Sequence, residues 1–140
     1  MATILAHIRI KLGHEATFEA LCRGLFEISH AKDVGLLRYE YWRSQDQGCY
    51  YCLLAFADFR AFIAHQTSDH HESASAPLMS AIEDLRLEWL DPVDGASPLP
   101  ATRPQALDDR GDERLRRYAE LFGVELAPWW APLSQGTAAA

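Results

Sequence analysis

Residues 3–10, TILAHIRI, alternate in a way that predicts a strand, with Ile4, Ala6, Ile8 and Ile10 on one face and Leu5, His7 and Arg9 on the other. Beyond Gly13 the period lengthens. From His14 to about His30, Phe18, Leu21, Cys22, Leu25 and Ile28 recur at helical spacing, and Glu15, Glu19, Arg23 and Glu27 fall outside that stripe. Asp33 and Gly35 turn the chain into a second strand, with Leu37, Tyr39 and Tyr41 facing one way and Leu36, Arg38, Glu40 and Trp42 the other. Ser44 to Gly48 reads as a hairpin loop, and the returning strand over about 49–57 puts Tyr50, Cys52, Leu54 and Phe56 on one face. Asp58 is a good N-cap for a helix carrying Phe59, Phe62 and Ile63. Ser68 to Glu72 reads as a polar break, followed from about Pro77 by a further helix using Leu78, Met79 and Ile82. Residues 85–90, LRLEWL, alternate again as a fourth strand.

The resulting order, β-α-β-β-α-β with an interrupted second helix, is the ferredoxin-like α+β arrangement: a four-stranded antiparallel sheet with helices on one face. The other face mixes Leu5, Leu36, Trp42, Tyr51, Leu53 and Leu90 with His7, Arg9, Arg38, Glu40, Arg86 and Glu88. So much apolar surface calls for a cover, and the expected one is a second copy of the chain, giving a homodimer through sheet faces. The domain is taken as residues 1–91. Residues 92–140 read as a proline-rich arm with a short helix at about 112–122, carrying Leu115, Tyr118, Ala119 and Phe122 on one stripe, and a frayed tail from Ser134. The arm is expected to dock on its own domain or on the dimer mate.

Composition narrows the function classes. A chain of 140 residues with 49% hydrophobic content suits one domain with a real core. A net charge of −7 with arginines interleaved among acids argues against nucleic acid. No apolar run reaches the roughly 20 residues of a membrane span, and the N-terminus lacks a signal-peptide cleavage site. No membrane association and a cytoplasmic location are the expectation. Cys49 and Cys52 spell C-x-x-C, but within a strand residues three apart point to opposite faces, so buried free thiols are expected there and at Cys22.

Ala6-His7-Ile8-Arg9-Ile10-Lys11-Leu12-Gly13, Gly35-Leu36-Leu37-Arg38-Tyr39-Glu40-Tyr41, Phe56-Ala57-Asp58 and the run Ala64-His65 to Ser68-Asp69-His70 together carry a resemblance. Over about residues 2–90 the chain resembles the antibiotic biosynthesis monooxygenase domain family of the dimeric α/β-barrel superfamily. The resemblance implies a dimer with a pocket in each subunit between sheet and helices. It also implies oxidation of small aromatic or quinol-type substrates by O2 without metal or flavin, relatives on the same fold being isomerases or small-molecule binders. The tryptophan that many members carry before the second helix is Phe56 here. The first-strand asparagine of haem-degrading members corresponds to Ala6, which disfavours haem degradation.

Within that frame His65 and His70 are the candidate catalytic residues: a neutral imidazole at the pocket takes a proton from a phenol or quinol, leaving an anion that reacts with oxygen. The competing reading makes both helix-end residues that complement the C-terminal dipole. Tyr39, Tyr41, Tyr50, Phe56, Phe62 and Trp89 are the candidate substrate-binding residues, a flat slot with phenol hydroxyls for orientation. His65 and His70 lie five apart across a helix break, unlike the four-residue spacing of a helical metal pair, so no dedicated metal site is expected. Arg38, Glu40, Arg86 and Glu88 read as cross-strand ion pairs. No Ser-His-Asp arrangement, nucleotide-binding glycine loop or flavin fingerprint is present, so no cofactor is expected. Two further readings stay open: an isomerase or ligand-binding protein using the same pocket, and an interaction module with Trp129-Trp130 as its recognition element.

Overall fold

The computed structural model describes residues 1–108, 110–123 and 126–134, and the tail from 135 on lies outside them. Four strands, β1 (Ala2–Ile10), β2 (Leu36–Arg43), β3 (Cys49–Phe56) and β4 (Ile82–Leu90), form one antiparallel sheet in the order β2-β3-β1-β4. The helices α1 (Glu15–Lys32), α2 (Phe59–Thr67) and α3 (Asp69–Ala81) complete the ferredoxin-like α+β order, and α4 (Glu113–Leu121) and the short α5 (Ala131–Ser134) follow in the arm.

The period-2 alternation of β1 and β3 sets the core. Ile4, Ala6 and Ile8 pair with Leu54, Cys52 and Tyr50 on the covered face, and Phe18, Cys22 and Leu25 of α1 close over them. Cys49 and Cys52 occupy opposite faces as expected, and all three cysteines are free. Burial pushes the Cys22 thiol up to about 12, and Cys52 is also raised by burial, so neither supplies thiolate near neutral pH.

Three sequence expectations are corrected. A β-bulge between Leu36 and Arg38 advances the register by one, so Leu36 packs on the core opposite Phe56 and Leu37 is exposed, the reverse of strict alternation. The break after α2 is Ser68 alone, not Ser68 to Glu72: its hydroxyl accepts from the His71 N–H and caps a new helix that begins at Asp69. Pro77 is therefore inside α3 rather than at its start. The bond its missing N–H forfeits would go to the Ser73 carbonyl, and both residues are on the exposed side of the helix, where such a loss costs least. Met79 is exposed, and Ile82 already belongs to β4.

The arm docks on its own domain. Thr102, 1% exposed, donates from Oγ1 to the Leu90 carbonyl at 2.6 Å and from its N–H to Asp91 Oδ1 at 2.9 Å. Asp112 caps α4 by accepting from the Leu115 N–H, and α4 lays Leu115, Tyr118 and the following Phe122 against α2 and the core. On the outer sheet face Trp42, Leu37 and Tyr51 are 58%, 48% and 38% exposed.

Candidate active site

The last turn of α2 carries His65 on the same stripe as Phe62, so the helical period that buries the phenylalanine also buries the imidazole. Asp33 caps the C-terminus of α1, with its N–H bonded to the Ser29 carbonyl. What brings these two elements together is Gly35, whose φ of +81° suits glycine and whose missing Cβ would lie 2.9 Å from the Ala61 Cβ of α2. The Gly35 carbonyl also accepts from the Ala57 N–H at 2.7 Å, tying the end of β3 to this turn.

The outcome is a buried pair. His65 Nδ1 donates to Asp33 Oδ2 at 2.6 Å, and the two side chains are 0% and 7% exposed. Burial acts to raise the Asp33 carboxyl pKa, but the hydrogen bond from His65 and the facing imidazoles of His65 and His70 outweigh it, and the net shift is downward. Asp33 is thus ionised at neutral pH and holds the His65 proton on Nδ1. The other ring nitrogen, Nε2, is buried and without a hydrogen-bond partner, and in the neutral ring it is the acceptor.

His65 lines a cavity of about 540 Å³ between the sheet and the helices, together with Tyr39, Tyr41, Phe62, Gln66 and His71. The Tyr39 and Tyr41 hydroxyls bond each other at 2.8 Å, and the Tyr39 ring meets the His65 ring edge-on at 5.0 Å. Burial raises both phenol pKa values, so the pair stays protonated. His71 is pushed down to about 4, by burial first and then by the neighbouring His65, and is neutral at physiological pH. The far wall comes from α4 and the residue after it: Tyr118 and Phe122 stack at 5.8 Å, and the Tyr118 hydroxyl bonds the Glu72 carboxylate.

The structure brings together His65, Tyr39, Tyr41 and Phe62 of the residues singled out in the sequence. The others lie elsewhere. His70 is behind the cavity wall, with Nε2 3.0 Å from Asp33 Oδ1. Phe56, fully buried, packs beneath His65 at 5.2 Å and does not reach the cavity surface. Tyr50 is on the far side of Phe18, where its hydroxyl donates to Glu19 Oε1 at 2.9 Å beside a bidentate Arg43–Glu19 pair. Trp89 packs on Phe59 and Phe62 and donates to the Gly123 carbonyl, next to the cavity rather than in it. Residues the sequence reading missed are Asp33, taken only as a turn residue, and Gln66, Tyr118 and Phe122. A cleft of about 780 Å³ beside Trp129 and Trp130 involves residues 91–103, where Asp91 is already engaged by Thr102.

Comparison with known proteins agrees with this architecture. The family profile described as antibiotic biosynthesis monooxygenase matches residues 1–77. A Caulobacter crescentus protein assigned provisionally to antibiotic biosynthesis monooxygenases superposes with a TM-score of 0.63 at 25% identity, covering 66% of this chain and 90% of its own. A Pseudomonas aeruginosa protein gives 0.59 at 24% identity over 64% and 90% of the two chains, and a Mycobacterium tuberculosis protein 0.62 at 20% over 69% and 98%. No curated protein matches the chain. Among the described residues no helix is long and apolar enough to cross a membrane.

Proposed function

The chain belongs to the antibiotic biosynthesis monooxygenase family, and from that premise we propose that it is a cofactor-independent monooxygenase of small aromatic or quinol-type substrates, with His65 as its base. The observation that carries the reading is the Asp33–His65 pair, whose Nε2 is buried, unpartnered and at the wall of an aromatic cavity. A phenol or quinol hydroxyl gives its proton to Nε2, and Asp33 stabilises the imidazolium that results. The substrate anion then reduces O2 by four electrons in all: a ring carbon gives up a C–H proton and takes one oxygen atom, the ring ends at the quinone level, and the second oxygen leaves as water formed with the released protons. Tyr39 and Tyr41 orient the substrate oxygen, and Phe62, Tyr118 and Phe122 hold the ring. His70, against Asp33 rather than the cavity, acts through the carboxylate and not on substrate. The functional unit is a homodimer closed through the outer sheet faces, where Trp42, Leu37 and Tyr51 are exposed.

Oxygen uptake with a panel of hydroquinones and anthrone-like phenols tests the reading. Wild type is expected to consume oxygen with at least one of them. His65→Gln, which keeps a polar side chain of similar length, loses that turnover by about 10²–10⁴-fold, the range for removing a general base. Uptake that persists in His65→Gln removes the histidine from the chemistry. Substrate isomerisation or a ligand-induced rise in melting temperature without uptake transfers the same pair to proton shuttling or binding.

A further inference from the structure

Asp33, His65 and His70 come from three elements, the C-cap of α1, the last turn of α2 and the first turn of α3, and each offers a ligating atom within 4.8 Å of the others. Spacing along one helix argued against a metal pair, but that rule leaves out a carboxylate contributed from elsewhere in the fold. Both imidazoles face the same carboxylate, His65 Nδ1 at 2.6 Å from Oδ2 and His70 Nε2 at 3.0 Å from Oδ1. The side chains of Asp33, His65 and His70 are only 7%, 0% and 11% exposed. His70 Nε2 is buried and, despite its short distance, has no aligned hydrogen bond. A buried nitrogen aimed at a carboxylate without a proper bond is costly to keep, and a cation between the three groups would satisfy it.

We propose that Asp33, His65 Nδ1 and His70 Nε2 form a binding site for a divalent transition-metal cation of the zinc class. Two imidazoles and one carboxylate select such ions over magnesium or calcium, which prefer all-oxygen shells. Metal–ligand bonds of about 2.0–2.2 Å place neighbouring tetrahedral donors roughly 3.3 Å apart. The 2.6 Å and 3.0 Å contacts therefore open by about 0.7 Å and about 0.3 Å, and the two ring nitrogens, within 4.8 Å of each other, settle at the same spacing through small torsions of the Asp33 and His70 side chains. The fourth position is left to water. Binding goes beyond the oxygenase reading, and one consequence rests on it. Metal displaces the proton from His65 Nδ1, the ring re-protonates on Nε2, and the nitrogen facing the cavity turns from acceptor to donor. An occupied site therefore switches off the base.

Cobalt(II) titration of the full chain, followed by visible absorption without substrate, tests the site independently of turnover. The expected result is a d–d band that saturates at one equivalent and is reversed by Zn2+. The band should be lost in Asp33→Asn, which preserves shape, and in His70→Ala, on the more open side of the cluster, with both variants' folding checked by circular dichroism. A band that fails to saturate at one equivalent, or that survives either substitution in a folded variant, overturns the site. In protein active with a hydroquinone, Zn2+ at saturation lowers uptake at least tenfold, and full activity of the metal-bound protein overturns the switch.

Discussion

Replacing Tyr118 by alanine is expected to release α4 from the domain while leaving the sheet intact. Tyr118 is 6% exposed, stacks on Phe122 at 5.8 Å, meets His71 edge-on at 6.4 Å and bonds Glu72 through its hydroxyl, with the Arg117 guanidinium 4.9 Å from its ring centroid. Truncating a buried aromatic costs about 3–5 kcal/mol. Here the cost falls on docking, because α4 packs on α2 and makes no ladder with the sheet. A helix of 9 residues does not persist alone, so an undocked α4 melts. Once it has melted, nothing further is lost, and global stability drops by no more than the docking free energy. Hydrogen exchange separates the two effects. Amides of residues 115–122 should exchange about 10²–10⁴-fold faster at most, one decade per 1.4 kcal/mol, while those of β1 and β3 change far less. Tyr118→Phe, which removes only the bond to Glu72, should give about 10–100-fold, since a hydrogen bond to a charged group is worth about 1.5–3 kcal/mol. Unchanged exchange in α4 of Tyr118→Ala, or equal acceleration everywhere, refutes the argument.

Three other outcomes follow from the structure. Gly35→Ala adds a Cβ that meets Ala61 at 2.9 Å where φ is +81°; denaturant unfolding should show a loss of about 1–3 kcal/mol, and the His65–Asp33 contact should be disturbed with it. Glu19 is held down to about 2 by its hydrogen bonds from Arg43 and Tyr50. A carboxyl depressed in the folded state stabilises above its unfolded pKa and loses that contribution as pH falls through the folded one, so Glu19→Gln should flatten the acid limb of wild-type stability between about pH 4.5 and pH 2; identical limbs for the two proteins would contradict this. Tyr51→Glu places a charge on the outer sheet face beside His7 and should halve the mass seen by light scattering, from twice 15.8 kDa to one copy; a wild-type monomer would remove the dimer from the proposal.

Elements with strong local signals were legible in the chain. Alternation in β1 and β3 and the Asp58 cap of α2 name both the element and its buried face, because a period of two or a side-chain cap is a property of neighbouring residues. The bulge at Leu37 was not legible, since an extra residue in a strand is visible only against its partner's register. Pro77 misled because its usual place is a first turn, whereas an exposed helix face tolerates it. Of the six aromatic candidates, the five on strands (Tyr39, Tyr41, Tyr50, Phe56 and Trp89) all point to the covered face of the sheet, yet Phe56 is sealed beneath His65, Tyr50 is screened by Phe18 and Trp89 packs on Phe59 and Phe62. Sharing a face does not decide which rings border the space.

Fold class, the core stripes and the histidines near the end of α2 can be read from the chain alone, because hydrophobic period and capping chemistry act over a few residues. What those histidines face is settled only in three dimensions. Asp33 and His65 are 32 residues apart in the chain and 2.6 Å apart in space, joined by a glycine turn whose value lies in an atom it lacks. The cavity's outer wall likewise comes from Tyr118 and Phe122, beyond the 77 residues of the family match. Electrostatic pairing and enclosure depend on distance through space, and no periodicity along the chain encodes it.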